Sequence, residues 1–240
     1  MITITDIHKN FEHQEILHGI SATFDAGKTN LVIGRSGSGK TVLLRCIVGL
    51  LTPERGEVLF DGRDIHHLTK RETTFLRQEI GMLFQGAALF DSMDVLHNVL
   101  FPLEMFSSKT YQEQLQRARF CLDRVGLSDA ESKMPSELSG GMQKRVAIAR
   151  AIALEPRYLF CDEPNSGLDP ISSRIIDRLI SDITHEYSIT TIVNTHDMGS
   201  VRGIGEQILF IHEGRAEWTG TSHNINQASN PHLREFLKHA

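Results

Sequence analysis

The chain has 240 residues, of which 40% are hydrophobic and 23% charged, and its formal net charge is −5. This length suits one large domain with a substantial core, and the negative charge argues against a nucleic-acid scaffold that binds by neutralising phosphates. No stretch approaches the roughly 18 uninterrupted apolar residues of a membrane span, and the first residues lack the pattern of a secretory signal. We therefore expect a cytosolic chain with one domain over residues 1–240.

Cysteine and histidine usage indicates neither disulfides nor a histidine metal site. Cys46, Cys121 and Cys161 are odd in number, widely spaced and set among apolar neighbours, which favours free buried thiols in a reducing compartment. The 12 histidines show no metal-ligand spacing beside carboxylates or cysteines.

The first third of the chain predicts short strands. Apolar patterns place them at residues 2–8, 16–24, 30–33, 57–60 and 80–84. In the first of these, Ile2, Ile4 and Ile7 follow an alternation that is offset by one residue. A helix is expected from about residue 40 to 50, directly after a glycine-rich loop.

Helix-forming sequence then takes over from about residue 86 to 150. We expect helices over 110–125 and over 142–154, the second amphipathic with Val146, Ala149, Ile152 and Ala153 on one side. Strand signals return at residues 158–161, 189–193 and 207–211, and residues 221–240 form a polar tail with a short helical pattern. Continuous apolar runs are typical of buried parallel strands, so the pattern predicts a mixed α/β core with a helical insertion.

The glycine-rich loop fits the pattern G-x-x-x-x-G-K-[ST] in full, and its residues are Gly34, Arg35, Ser36, Gly37, Ser38, Gly39, Lys40 and Thr41. A strand precedes it and a helix follows, so backbone N–H groups can wrap phosphates at the helix N-terminus. We expect Lys40 to reach the β- and γ-phosphates and the Thr41 hydroxyl to ligate Mg²⁺.

Two adjacent carboxylates, Asp162 and Glu163, follow the apolar run at 158–161. Neighbouring residues on a strand point to opposite faces, so the strand must end here if both are to serve one site. Pro164 supports that break. We expect Asp162 to face the metal and Glu163 to act as a base on the attacking water.

A Ser-Gly-Gly segment lies at the start of a predicted helix, far along the chain from the glycine-rich loop, and its residues are Ser139, Gly140 and Gly141. A helix start carries free N–H donors and partial positive charge, and glycines admit a close anion. One interpretation is an N-cap followed by two flexible glycines. The other is a grip on the phosphate of a partner copy, which we favour because a plain cap needs no glycine pair.

Three single residues gain interest from their positions. Gln85 ends a strand where the helical insertion begins, so it could sense the γ-phosphate or the metal. His196 ends the strand at 191–194, and Phe11 could stack on adenine. Each of these residue types is also common in purely structural positions.

Taken together, these motifs resemble the nucleotide-binding subunits of ATP-binding cassette (ABC) transporters over nearly the whole chain. The matches are Phe11 to the adenine-stacking loop, Gly34–Thr41 to Walker A, Gln85 to the Q-loop, Ser139–Met142 to the signature, Asp162 and Glu163 to Walker B with its base, Ser166–Asp169 to the D-loop, and His196 to the switch histidine. Two residues depart from the family pattern: Phe11 stands where tyrosine is commoner, and Met142 stands where glutamine is commonest.

The resemblance implies a P-loop ABC ATPase fold with an N-terminal antiparallel β subdomain, a helical subdomain over about 86–150 and a C-terminal tail over about 221–240. It also implies ATP and Mg²⁺ as cofactors, with Gln85 beside Thr41 and Asp162 at the metal. The active form would be a head-to-tail homodimer in which Ser139, Gly140 and Gly141 serve the neighbour's ATP, and Asp169 would also contact nucleotide. Separate transmembrane permease subunits would place the chain at the cytoplasmic face of the inner membrane.

The branch of the family is a finer matter. Residues 84–103 and 151–156 are similar to the Mla-type ATPases, which energise phospholipid transport with a permease and an MCE-domain lipid-binding protein. An apolar strip is the expected permease contact, and it comprises Ala87, Ala88, Leu89, Phe90, Val95, Leu96 and Val99. Its alternative is packing inside the helical subdomain.

Other interpretations remain open at this stage. They include another importer or exporter branch, such as a small-solute importer, and a non-transport regulatory ATPase of the cell-division type. ABC ATPases acting on DNA or the ribosome are disfavoured by the acidic charge, the missing coiled-coil insertion and the single cassette.

Overall fold

The computed structural model describes residues 1–12 and 14–239, with the side chain of residue 239 left out. Its strands are β1 Ile2–Phe11, β2 Gln14–Phe24, β3 Thr29–Ile33, β4 Arg55–Phe60, β5 Arg63–Asp64, β6 Ile80–Leu83, β7 Tyr158–Asp162, β8 Thr190–Thr195, β9 Gln207–His212 and β10 Arg215–Gly220. Its helices are α1 Lys40–Ile47, α2 Lys70–Gln78, α3 Val95–Phe106, α4 Tyr111–Arg124, α5 Gly140–Ala151, α6 Pro170–Glu186, α7 Met198–Ile204 and α8 Pro231–His239.

The central sheet has six strands in the order β10-β9-β3-β8-β7-β6. All neighbours pair in parallel except β9 with β10. Every residue of β3, β7 and β8 is buried, as expected for parallel strands covered on both faces. The carboxyl ends of β3, β7 and β8 therefore lie at one edge of the sheet, where ligands of such folds bind.

A second, antiparallel sheet has the order β2-β1-β4-β5. The offset in the β1 pattern is a bulge: the register shifts after Ile4, and Asp6 has a positive φ of 54°. The extra residue turns Ile7 back to the face already occupied by Ile2 and Ile4, and all three are buried.

The segment between β6 and β7 carries α3, α4 and α5, as its composition predicts. The expected amphipathic character of α5 is wrong, because Val146, Ala147, Ile148 and Ala149 are all fully buried. Four consecutive residues make up slightly more than one turn of an α-helix, so their side chains point to all sides. This helix packs against α3, α4, α6 and β6 at once, so it has little polar face.

The expected apolar strip is also divided by the structure. Ala87, Val95 and Val99 are buried in the core, and Leu89 and Leu96 pack against it. Ala88 and Phe90 are exposed. Most residues of the strip therefore pack inside the protein, and only Ala88 and Phe90 are exposed enough to contact a partner.

Several elements were not predicted from the sequence: α2, α7 and the edge strand β10. The tail helix α8 buries Leu233 and Phe236, and the Phe236 ring lies 5.5 Å from the ring of Phe210. The three cysteines are buried and free, as expected. In the described part of the chain, no helix combines the length and the apolar character needed to cross a membrane.

Candidate functional site

The glycine-rich loop joins the end of β3 to the start of α1. Gly34, Gly37 and Gly39 have φ values of 155°, 80° and 103°. A Cβ atom on Gly34 would lie 2.2 Å from the main-chain oxygen of Ile211, so only glycine fits there. The chain thus turns tightly at the carboxyl edge of the sheet and enters a helix whose first N–H groups have no intrahelical partner.

Lys40 lies folded into this loop and is 6% exposed. Its ammonium group donates to the main-chain oxygens of Gly34 (2.8 Å) and Arg35 (3.1 Å), and burial lowers its pKa. The hydroxyl of Ser38 is buried and has no hydrogen-bond partner among the described residues. A buried cation and an unsatisfied donor in one turn fit an anionic ligand such as a phosphate.

An oxygen pair lies beside the loop. Thr41 Oγ1 donates to Asp162 Oδ1 at 3.1 Å, and Asn194 Nδ2 donates to the same carboxylate atom at 3.2 Å. Hydroxyl and carboxylate oxygens are the ligands that Mg²⁺ prefers, so the donor set fits that ion. Sequence reasoning missed Asn194, whose signal is an amide at the end of an apolar strand and directly opposite Asp162 in the sheet.

The strand β7 ends at Asp162, as the carboxylate pair predicts. Glu163 then adopts a positive φ of 48°, a conformation that costs a non-glycine residue on the order of 1–3 kcal/mol. Its carboxylate lies 3.7 Å from Lys40 Nζ and 2.9 Å from His196 Nδ1. The turn therefore brings three predicted residues from three different elements into contact.

Gln85 follows β6 and faces a different loop. Its side-chain amide donates to Ser166 Oγ at 3.2 Å, so in this structure it contacts the segment just after Glu163. Its main-chain oxygen accepts a hydrogen bond from Lys144. Lys144 is 4% exposed and burial lowers its pKa. The local sequence pattern does not single out this lysine, because a lysine in an amphipathic helix is expected on its polar face.

The signature segment opens α5 with a cap. Ser139 Oγ accepts from Met142 N at 3.3 Å, so this serine caps the helix, as one of the two interpretations predicts. Its contact with the phosphate of a partner copy stays a prediction. Cβ atoms built on Gly140 and Gly141 would lie 3.6 Å from Leu168 and 3.4 Å from Ser172. The segment therefore lies beside the loop at 166–169. Within the described ranges, no hydrogen bond or ion pair joins it to residues 34–41 of the same chain.

Asp169 caps the next helix. Its carboxylate accepts from Ile171 N (2.9 Å), Ser172 N (3.0 Å) and Ser172 Oγ (2.5 Å), and the bond from the Ser172 side chain is the main reason that its pKa is lowered. A nucleotide contact of Asp169 stays a prediction.

The remaining predicted residues lie at the rim. Phe11 ends β1 with 43% of its surface exposed, and Lys9 Nζ lies 5.4 Å from its ring centre. Arg35, at the outer side of the glycine-rich loop, pairs with Glu235 of α8 at 2.7 Å. Ser36 is exposed. Adenine stacking by Phe11 stays a prediction.

Comparison with known proteins gives consistent matches. The family model described as ABC transporter matches residues 17–166. The intermembrane phospholipid transport system ATP-binding protein MlaF of Haemophilus influenzae is 42% identical over 212 residues, which cover 88% of this chain and 80% of MlaF. The methionine import ATP-binding protein MetN of Rhizobium johnstonii is 41% identical over 215 residues, 90% of this chain and 59% of MetN.

A further relative is the probable ribonucleotide transport ATP-binding protein mkl of Mycobacterium tuberculosis, 35% identical over 236 residues. These are 98% of this chain but 66% of mkl, so the chain spans slightly less than two thirds of that protein. Among solved structures, the dimeric post-hydrolysis state of the ATP-binding cassette MJ0796 bound to ADP and Pi matches with a TM-score of 0.84 and 31% identity, covering 92% of this chain and 99% of that one.

These matches confirm the fold expected from the sequence, a mixed α/β cassette with an antiparallel β subdomain and inserted helices. They do not separate the branches of the family, since a phospholipid and a methionine system match almost equally well. The family itself is settled by the profile match and by the close relatives: the chain belongs to the ATP-binding cassette family of ABC transporters.

Proposed function

We propose that the chain binds and hydrolyses ATP as the energy-supplying subunit of a transporter. The observation that carries this proposal is the meeting of loop, metal-ligand pair and base at one edge of the central sheet. The residues concerned are Lys40, Thr41, Asp162, Glu163 and His196. They come from the ends of β3, β7 and β8, which a parallel sheet brings together.

Each residue has a role that its position supports. When bound, magnesium would neutralise negative charge on the phosphates of ATP. Thr41 and Asp162 would hold that ion, and Lys40 would turn its ammonium from the loop carbonyls to the phosphates. Glu163 would accept the proton of the attacking water. His196, at 2.9 Å from Glu163, would fix the orientation of that carboxylate.

We further propose that the active form is a head-to-tail pair of copies. Ser139, Gly140 and Gly141 open α5 on a part of the chain that makes no described hydrogen bond to the loop at 34–41, so a second copy is the source of a phosphate for them. The dimeric MJ0796 cassette supports this arrangement. Moving a two-state equilibrium from 1:99 to 99:1 requires about 5.5 kcal/mol of differential binding, which phosphate contacts made only in the closed pair would supply.

A permease would bind the groove between β6 and α3. Phe84 and Phe90 are 40% and 39% exposed there, and Phe101 and Pro102 line the same groove. Exposed aromatic side chains are enriched at protein interfaces. Docking at this groove would place the chain peripherally on the membrane that holds the permease.

Phospholipid is the substrate class that we propose for the complex, with an MCE-domain lipid-binding protein as a further partner. The similarity of residues 84–103 to Mla-type ATPases supports this, together with the 42% identity to MlaF. The competing candidate is import of a small solute, which the 41% identity to MetN supports. A regulatory pair of the cell-division type would hydrolyse ATP and move no substrate.

The base is tested by Glu163→Gln. We expect this variant to bind ATP and to accumulate as a dimer, while hydrolysis falls by about 10²–10⁴-fold. Glu155→Gln is the matched control, because the side chain of Glu155 is 60% exposed and makes only long ion pairs. Hydrolysis at the parent rate in Glu163→Gln would remove Glu163 from the proposed mechanism.

The substrate is tested by reconstitution. Proteins that co-purify with the chain identify the candidate permease, and the complex is then placed in vesicles with labelled phospholipid or labelled methionine. We expect ATP-dependent phospholipid transfer that is absent with Glu163→Gln. Transfer of methionine alone would support the importer, and hydrolysis without either transfer would support the regulatory pair.

A further inference from the structure

Three side chains of types that can ligate a metal meet at the base of the tail helix, away from the proposed nucleotide site. His212 ends β9, Glu217 lies in β10 and His232 lies in the first turn of α8. One ligand atom of each lies within 4.8 Å of the others. Their spacings along the chain, five and fifteen residues, match no metal motif, so the sequence pattern alone does not indicate this cluster.

The contacts within this group, the His212–Glu217–His232 cluster, are close. His232 Nδ1 lies 2.9 Å and 2.7 Å from the two carboxylate oxygens of Glu217. The rings of His212 and His232 stack with centroids 4.1 Å apart. Asn230 donates to Glu217 Oε2 at 3.2 Å, and its own side-chain oxygen accepts from Leu233 N at 2.8 Å. The same asparagine therefore orients the carboxylate and starts the helix.

The chemistry of the cluster selects the kind of ion. Two imidazole nitrogens and one carboxylate are a ligand set of zinc sites that keep a fourth position for water, and imidazole suits zinc, copper and nickel more than magnesium. The side chains of Glu217 and His232 are 19% and 46% exposed, which leaves one side open for that fourth ligand. Asn230 supplies the supporting hydrogen bond that such sites commonly have.

We propose that the His212–Glu217–His232 cluster binds a divalent transition metal of the zinc class and thereby fastens α8 to the β9–β10 hairpin. Metal–ligand bonds of about 2.1 Å place tetrahedral donors roughly 3.4 Å apart. The Glu217–His232 pair is already closer than this, so a rotation of the His212 side chain completes the site. The bound ion replaces the proton shared by His232 and Glu217, because a ligating imidazole nitrogen carries none.

The position of the cluster gives this ion a structural consequence. The turn after His212 contacts the glycine-rich loop, where Gly214 N donates to Ser38 O at 3.1 Å. From the helix, Glu235 pairs with Arg35 of the same loop at 2.7 Å. Metal binding would therefore stiffen two of the elements that hold the outer side of the phosphate loop.

The test is zinc titration of the full chain by calorimetry, without nucleotide, so that its result is independent of ATP hydrolysis. We expect His212→Ala and His232→Ala each to bind one zinc equivalent fewer than the parent. His223→Ala is the matched control, because His223 is exposed and outside the cluster. Any zinc bound by His8, Glu15 and His18, which lie close together elsewhere, is the same in the parent and the variants. It therefore cancels when the number of zinc equivalents of a variant is subtracted from that of the parent.

Two further measurements guard against misfolded variants. His232→Gln keeps a polar side chain of similar size, and circular dichroism reports whether it folds like the parent. Zinc at 100 times its dissociation constant should raise the melting temperature of the parent by about 5–10 °C and leave that of folded His232→Gln unchanged. The parent number of zinc equivalents in all cluster variants, or no zinc binding by the parent, would overturn the proposal.

Discussion

The capping serine of the signature segment offers a test that separates folding from phosphate binding. Ser139 Oγ accepts from Met142 N, and we propose that the same hydroxyl donates to the phosphate of a partner copy. Alanine removes both functions. Aspartate keeps the first, since Asp94 and Asp169 cap α3 and α6 in this same chain with their carboxylates, and it opposes the second through its charge.

The stability effects follow from the cap. Ser139→Ala should cost about 1 kcal/mol of unfolding free energy, which corresponds to roughly 2–4 °C in melting temperature for a domain of this size. Ser139→Asp should unfold at the parent temperature or slightly above it, because a carboxylate at a helix N-terminus adds about 0.3–1 kcal/mol.

The activity effects should run in the opposite order. A carboxylate set against a phosphate costs several kcal/mol, and about 3 kcal/mol corresponds to a loss of more than 100-fold in hydrolysis rate. Ser139→Ala keeps the backbone N–H groups of α5 and loses one hydrogen bond to a charged group, about 1.5–3 kcal/mol. We therefore expect the more stable variant to be the less active one.

The assay pairs thermal unfolding with steady-state ATP hydrolysis on the same preparations. Ser132→Asp adds an exposed carboxylate to the same helical segment and should leave both quantities unchanged, which controls for a general charge effect. The reasoning fails if Ser139→Asp hydrolyses ATP at the parent rate while Ser139→Ala loses stability, because Ser139 would then be only a helix cap.

Three further predictions follow from particular contacts. Gly140→Ala should raise the free energy of unfolding by up to about 1 kcal/mol, since the added Cβ would lie at an ordinary contact distance of 3.6 Å from Leu168. The same methyl group should slow ATP hydrolysis by keeping the partner's phosphate away from the backbone of Gly140. Turnover at the parent rate would exclude such a close approach. Lys144→Met should change the free energy of unfolding in urea by less than about 1 kcal/mol, because the lost hydrogen bond to Gln85 is offset by the removal of a buried charge. The same variant should hydrolyse ATP roughly tenfold more slowly if Lys144 links α5 to Gln85. Unchanged turnover would contradict this link. Burial raises the pKa of Asp177 above its usual 3.8, so the stability that its protonated carboxyl contributes is fully present below pH 3.8 and is lost as pH rises through the folded pKa. Asp177→Asn should therefore raise the free energy of unfolding, measured in urea, more at about pH 7 than at about pH 4. An equal effect at both pH values would contradict this prediction.

Much of the nucleotide site is predictable from the sequence because its residues are close along the chain. Residues 34–41 form one continuous loop, and the break after Asp162 follows from two carboxylates that a strand would direct to opposite faces. The buried strands are also predictable, because a short continuous apolar run such as 158–161 is stable only where both faces of a strand are covered, in the middle of a parallel sheet.

What the sequence could not supply are contacts between distant segments. Asn194 reaches Asp162 only because β7 and β8 pair in parallel at a particular register. The burial of Lys144 cannot be predicted from the sequence, since the pattern of α5 does not reveal that four other elements pack against this helix. His212 and His232 meet because α8 folds back over β9. No local sequence pattern predicts that packing.

The same distant contacts describe how a signal from a partner copy would reach Glu163, the proposed base. The start of α5, which we propose binds the neighbour's phosphate, continues within the helix to Lys144, which donates to the main-chain oxygen of Gln85. The Gln85 side chain contacts Ser166, and Ser166 N donates to the main-chain oxygen of Glu163 at 3.2 Å. A displacement of α5 would thus reach Glu163, the proposed base, through three hydrogen bonds and one helix, without passing through the phosphate loop. Because Val146, Ala147, Ile148 and Ala149 are fully buried, we expect α5 to move together with the elements packed around it and Lys144 to link that motion to the position of Glu163.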